Sequence, residues 1–167
     1  VLGYLGYRRG YTLGYEVLED AEVRPILDAA LRESLQGLVV AYGADEAWLR
    51  QHVADLTQRF ANRVLADPVV RLARDPLRKL APTDRLVGAA RVAEGAGRVP
   101  THIAWGIAGA LAYDAAEDAR AVELQQRIQA EGVAAVVESV CEIRRNEPLG
   151  DAVLECYALL SQEERWQ

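Results

Sequence analysis

Methionine is absent from this 167-residue chain, and lysine occurs once, at position 79; every other basic residue is arginine. Cysteine is almost as scarce. Cys141 and Cys156 are too few and too poorly spaced for a disulfide framework or a zinc site, so both read as buried thiols of a reducing, cytoplasmic setting. The two histidines, His52 and His102, have no cysteine, histidine or serine nearby in a catalytic or metal-ligand pattern, and no metal is expected. No apolar run reaches the length of a membrane span, which argues against a membrane partner. Positive charge is outweighed, with a formal net charge of -6, and this argues against a nucleic-acid surface, which needs a broad basic stripe. The opening Val1-Leu2-Gly3-Tyr4-Leu5 has neither the basic start nor the cleavage site of a signal peptide, and it reads as the interior of a longer protein.

What is present is apolar sequence with helical rhythm, in a length that suits one domain. From Asp20 to Tyr42, the residues Val23, Ile26, Leu27, Ala30, Leu31, Leu35, Leu38, Val39 and Tyr42 recur at the spacing of one helix face, with Asp20 as a cap and Gly43 as a stop. A helix from Asp45 carries Trp48, Leu49, Val53, Leu56 and Phe60 on one side. Asp67-Pro68 and Asp75-Pro76 each resemble a cap followed by proline at the first helical position, which predicts two short helices meeting at a bend. Further helices are expected from Thr83 or Asp84 to Gly95, from Pro100-Thr101 through Leu111, over 117–131, over 133–143 and from Glu147 to about Leu160. Strand signals do not recur. The expectation is an all-α, single multi-helical domain of about eight or nine helices.

Tyr4, Tyr7, Tyr11 and Tyr15 each follow a glycine, three or four residues apart, which reads as a packing seam, with a tyrosine-lined ligand site as the alternative. Gly95-Ala96-Gly97 lacks the third glycine and preceding strand of a dinucleotide fingerprint and reads as a helix stop. Glu117-Asp118 and Glu163-Glu164 read as solvated charge. The segment Arg71-Leu72-Ala73-Arg74-Asp75-Pro76-Leu77-Arg78-Lys79-Leu80 stands apart, with four cations crowded around one carboxylate. Two readings stay open: a network of ion pairs with the surplus acids, or a site for an anionic or hydroxyl-rich ligand at a helix start.

Gly3-Tyr4-Leu5-Gly6-Tyr7, Arg59-Phe60-Ala61-Asn62, the segment from Arg71 to Leu80 and Asp84-Arg85-Leu86, in this order, resemble the C-terminal domain of the polyol-specific long-chain (mannitol) dehydrogenases. The nearest likeness is to the bacterial members acting on mannitol 1-phosphate. The resemblance implies a helical domain of the 6-phosphogluconate dehydrogenase C-terminal-like type, which closes over the polyol, spanning 1–167. It also implies an upstream Rossmann domain that binds NAD, and a catalytic lysine, asparagine and histidine that would lie before Val1. This chain alone would then be inactive. The enzyme would oxidise a polyol phosphate by hydride transfer, with mannitol 1-phosphate to fructose 6-phosphate as the leading case. Arg71 and Lys79 would contact substrate hydroxyls, and Arg74 or Arg78 the phosphate. The sequence departs from the family at Arg63, where proline is usual, and at Ala89 or Ala90, where another proline is expected. A non-catalytic helical interaction or assembly module is the alternative.

Overall fold

The computed structural model describes residues 1–162, and among these the all-α expectation holds: eleven helices and a single isolated bridge between Leu13 and Pro68. The count exceeds eight or nine because the glycine-rich opening folds into two short helices, whereas the proline-broken basic segment divides into two as expected. Gly10 takes φ +74° between α1 (Leu2–Arg8) and α2 (Gly14–Glu19), a conformation that side chains resist.

The long helix α3 (Val23–Tyr42) begins where the Asp20 carboxylate accepts from the backbone N–H groups of Glu22 (2.7 Å) and Val23 (2.9 Å), and it ends on left-handed Gly43. Asp20 also accepts from Arg9 Nε (2.9 Å) and the Tyr11 hydroxyl (3.0 Å), so this buried carboxylate fastens the opening segment to α3. The helix α4 (Glu46–Ala61) starts at Asp45 as expected. It packs chiefly on α2 and α3, and of its residues only Leu49 is buried, while Trp48 is 63% exposed and stacks on His52 at 5.2 Å.

Two helix starts differ from expectation. Asp67 does not cap α5 (Val69–Ala73): its carbonyl accepts from Gly14 N–H (2.8 Å), its carboxylate takes Arg71, and Pro68 is the capping position in extended geometry. The helix α7 (Val87–Gly95) begins at Val87, later than Thr83 or Asp84. Asp84 turns its carboxylate to the next residue's N–H (2.6 Å) and to Arg85 and Arg78, which keeps this stretch in turns. The short α6 (Pro76–Lys79) does start as expected, with Asp75 at its cap.

At the centre lies α8 (Thr101–Leu111), buried on almost every side, with α1, α3 and α11 (Pro148–Gln162) against it. Its capping residue is Pro100, which has no side-chain acceptor. Glu33 of α3 takes that place: its carboxylate accepts from the N–H groups of His102 (3.0 Å) and Ile103 (2.9 Å) and lies 2.7 Å from His102 Nδ1. Glu33→Ala should therefore cost about 1–2 kcal/mol of stability, the usual worth of a lost cap, read from urea denaturation. The helices α9 (Ala119–Glu131) and α10 (Val133–Val140) complete the body, α10 being shorter than the expected 133–143.

Candidate substrate groove

The bend between α5 and α6 is the residue Asp75, held at φ +61° and ψ +65°. Left-handed geometry is uncommon for a residue with a side chain, and Pro76 further restricts the residue before it. The Asp75 carboxylate faces Arg78, accepting from its Nε (3.0 Å) and more distantly from its N–H (3.4 Å). The Asp75 N–H is donated across the fold to Asp118 Oδ2 at 2.8 Å. Asp118 also caps α9 through Arg120 N–H (3.0 Å), so the expectation that it is merely solvated charge is corrected: both its oxygens are engaged by backbone.

An open groove runs along this bend, lined among others by Arg71, Arg74, Tyr113, Glu117, Asp118 and Arg120. Its cations differ in how far they are already satisfied. Arg71 is paired with Asp67 and Arg120 with Glu123 (2.6 Å). Arg78 does not line the groove, and it is shared between Asp75 (3.0 Å) and Asp84 (3.5 Å). Arg74 is exposed at the groove and has no carboxylate partner among the described residues.

Lys79 lies behind the bend, only 6% exposed. Its Nζ donates to the Leu72 carbonyl at 2.6 Å and sits 5.3 Å from the centre of the Tyr4 ring. Burial, followed by the nearby Arg85 and Arg78 charges, brings its ammonium down to about 8, with Asp75 and Asp118 opposing. Tyr4 packs edge-on against Tyr113 at 5.5 Å, and Tyr113 against Tyr7 at 4.6 Å. The Tyr4 hydroxyl is buried without a hydrogen-bond partner among the described residues, and burial pushes its ionisation well above the ordinary range. The Tyr7 hydroxyl donates to Asp114 at 2.9 Å.

Sequence reasoning singled out the four cations and missed Tyr4, Tyr113 and Asp118 as their neighbours. The tyrosine rhythm was a usable signal for the first of these. The seam reading of that rhythm holds for Gly3, against the backbone of Leu72 and Ala73, and for Gly6, against Val17. Asp118 gave no signal in sequence, since its partner lies 43 residues away.

The remaining candidates gather elsewhere. His102 serves the Glu33 cap, and Gly95-Ala96-Gly97 ends α7 as the expected stop. Arg63 donates to Glu19 (2.6 Å) and covers the Tyr15 ring. Burial pushes the thiols of Cys141 and Cys156 up to about 12, which makes them poor nucleophiles. Glu163 and Glu164 lie outside the described residues. Among the described residues no three His, Cys, Asp or Glu side chains converge on a point that could hold a metal.

Chemically, the groove combines guanidinium donors with carboxylate acceptors, a mixture that suits a ligand rich in hydroxyls and bearing negative charge. The described residues do not fit NAD, because no strand leads into a glycine-rich helix start.

Residues 1–160 match the family described as mannitol dehydrogenase C-terminal domain. The chain is 39% identical over 154 residues to a mannitol-1-phosphate 5-dehydrogenase of Bacillus subtilis, 92% of this chain and 40% of that protein. It is 40% identical over 154 residues to the enzyme of that name from Bacillus velezensis, with the same coverage of both proteins. It is also 40% identical over 150 residues to the one from Anoxybacillus flavithermus, 89% of this chain and 40% of that protein. The chain thus spans about two-fifths of the length of these relatives. With a helical body matched from end to end and relatives agreeing over nine-tenths of its length, this chain belongs to the mannitol dehydrogenase C-terminal domain family.

Proposed function

We propose that this chain is the substrate-binding domain of an NAD-dependent polyol phosphate dehydrogenase, with mannitol 1-phosphate oxidised to fructose 6-phosphate as the reaction. The observation that carries the proposal is the groove at the Asp75 bend, where an arginine without a carboxylate partner stands at one side and a buried ammonium behind. The names of the relatives point to the same substrate. NAD is assigned to a Rossmann domain outside this chain, and the catalytic lysine, asparagine and histidine to sequence outside it as well, with the helical domain closing over the polyol.

Arg71 at the groove and Lys79 behind it hold substrate hydroxyls. Lys79 is suited to this because a compact ammonium fits a slot where a guanidinium fork would not. Arg74 holds the phosphate, since Arg78 is already shared between two carboxylates and does not line the groove. The carboxylates of Glu117 and Asp118 line the same groove and reject ligands whose charge lies at the wrong end.

The test is a steady-state assay of the full-length protein with NAD and a panel of polyols and their phosphate esters. A clear preference for mannitol 1-phosphate is expected, and absence of NAD reduction with every polyol would instead support a non-catalytic helical assembly module. In the same assay Arg74→Ala should raise KM for mannitol 1-phosphate by about 10- to 100-fold, with a much smaller effect on free mannitol, the worth of a charge-assisted bond to phosphate. If Arg78→Ala produced that pattern and Arg74→Ala did not, the phosphate would belong to Arg78. Equal weakening of both substrates by Arg74→Ala would remove the phosphate role from Arg74.

A further inference from the structure

We propose that Asp118 is a positioning residue for the substrate groove: by holding Asp75 in its left-handed conformation, it sets the arginine side of the bend against Lys79. This rests on the polyol phosphate reading above.

The bend is not held by local preference. A residue with a Cβ resists φ +61°, and a following proline narrows its choices further, so the backbone at Asp75 would relax if nothing outside the segment held it. The Asp75 carboxylate cannot hold its own backbone N–H, being turned to the Arg78 N–H and Nε. What engages that N–H is Asp118 Oδ2 at 2.8 Å, a charge-assisted bond. The Asp118 carboxylate is fixed in turn, because its other oxygen accepts from Arg120 N–H at 3.0 Å and caps the 13-residue helix α9. One side chain thus joins the start of a rigid helix to the left-handed residue of the two that separate α5 from α6.

Arg71 and Arg74 precede this residue, while Lys79 follows it. A ligand that must touch both sides is therefore bound only as well as the angle at Asp75 is kept. Asp118 itself lines the groove, so its loss would act at the place where the ligand lies. A cap of purely structural worth would lower the folded fraction without changing affinity in the molecules that remain folded.

The experiment measures steady-state kinetics of the full-length protein on mannitol 1-phosphate, beside thermal melting of each variant. Asp118→Ala is expected to raise KM about tenfold with a smaller fall in kcat, the loss of one charge-assisted bond being felt through substrate binding. Asp118→Asn keeps a carbonyl oxygen that can accept one of the two N–H groups, so it should restore part of the KM. An unchanged KM in folded Asp118→Ala, or a loss in kcat alone that follows the folded fraction, overturns the proposal. Should Asp118→Ala melt below the assay temperature, Asp118→Asn decides: a raised KM supports the proposal and a wild-type KM overturns it. A wild-type protein inactive on every polyol phosphate would sink the substrate reading itself, an outcome distinct from any result with Asp118.

Discussion

Lys79→Met in the full-length protein is expected to lower kcat/KM for mannitol 1-phosphate by about 100-fold while leaving the domain folded. An ammonium that grips substrate hydroxyls from a buried slot contributes charge-assisted hydrogen bonds, and about 3 kcal/mol of lost binding corresponds to that factor. Stability should not fall with it. The slot beside Leu72 and Tyr4 is apolar enough to accept a methionine of similar length, and the cost of burying a cation disappears. Lys79→Arg should be nearly as damaging to activity, because a planar fork cannot occupy a site only 6% exposed without moving its walls.

The same residue carries a pH signature. Its ammonium is lowered by burial from 10.5 in the unfolded chain to about 8 in the fold. Below pH 8 both states hold the proton, and the full cost of the buried charge opposes folding. Between about 8 and 10.5 the unfolded chain binds more protons than the folded one, so the Lys79 contribution to stability rises with pH and the penalty is gone above both values. Substrate binding should move the other way, KM rising above pH 8 as the ammonium is lost. Both trends should be missing from Lys79→Met; a KM profile of the same shape in that variant would remove Lys79 from substrate binding.

Gly3→Ala is expected to give the largest loss of stability of any single-methyl addition near the site. A Cβ at Gly3 would lie 2.9 Å from the Leu72 carbonyl carbon, the Leu72 Cβ and the Ala73 nitrogen. These neighbours are backbone atoms and the Leu72 Cβ, which cannot swing aside, so α1 must separate from α5. Overpacking of this kind costs about 2–3 kcal/mol, which for a chain of this size corresponds to a melting temperature about 8 °C lower. Because α5 carries Arg71 at one end of the groove, KM for the substrate should rise in parallel. A variant with wild-type melting would show that α1 and α5 are not in contact at Gly3.

The fold was legible where helix signals are local. Asp45, Asp75 and Gly43 sit at the boundaries expected of them, and Gly132 follows the last residue of α9. The starts at Asp67 and Thr83 were misplaced because the relevant carboxylates bind something other than the helix: Asp67 takes Arg71, and Asp84 takes Arg85 and Arg78. The Trp48 face looked as good as any other in sequence. Whether such a face is covered depends on which helices reach it, and α4 packs chiefly on α2 and α3. At the candidate site the crowding of Arg71, Arg74, Arg78 and Lys79 was visible, and so was the oddity of a single lysine. Which arginine is left without a carboxylate was not, because Asp84 and the bend at Asp75 decide it in three dimensions. Nor was the buried Tyr4 beneath Lys79, brought there by the close approach that Gly3 permits.

The bond from Asp75 to Asp118 has a consequence for how the chain acquires its groove during synthesis. Lys79 lies against Tyr4, and Gly3 against Leu72, so the segment that bears the cations must wait for contacts made across about seventy residues of chain. The bend waits longer, until residue 118 has left the ribosome and α9 has started behind it. Non-local contacts of this kind form late because the loops they close must be drawn together first. A nascent chain halted between Lys79 and Asp118 would hold all four cations while the bend between them still lacked the carboxylate that engages its backbone.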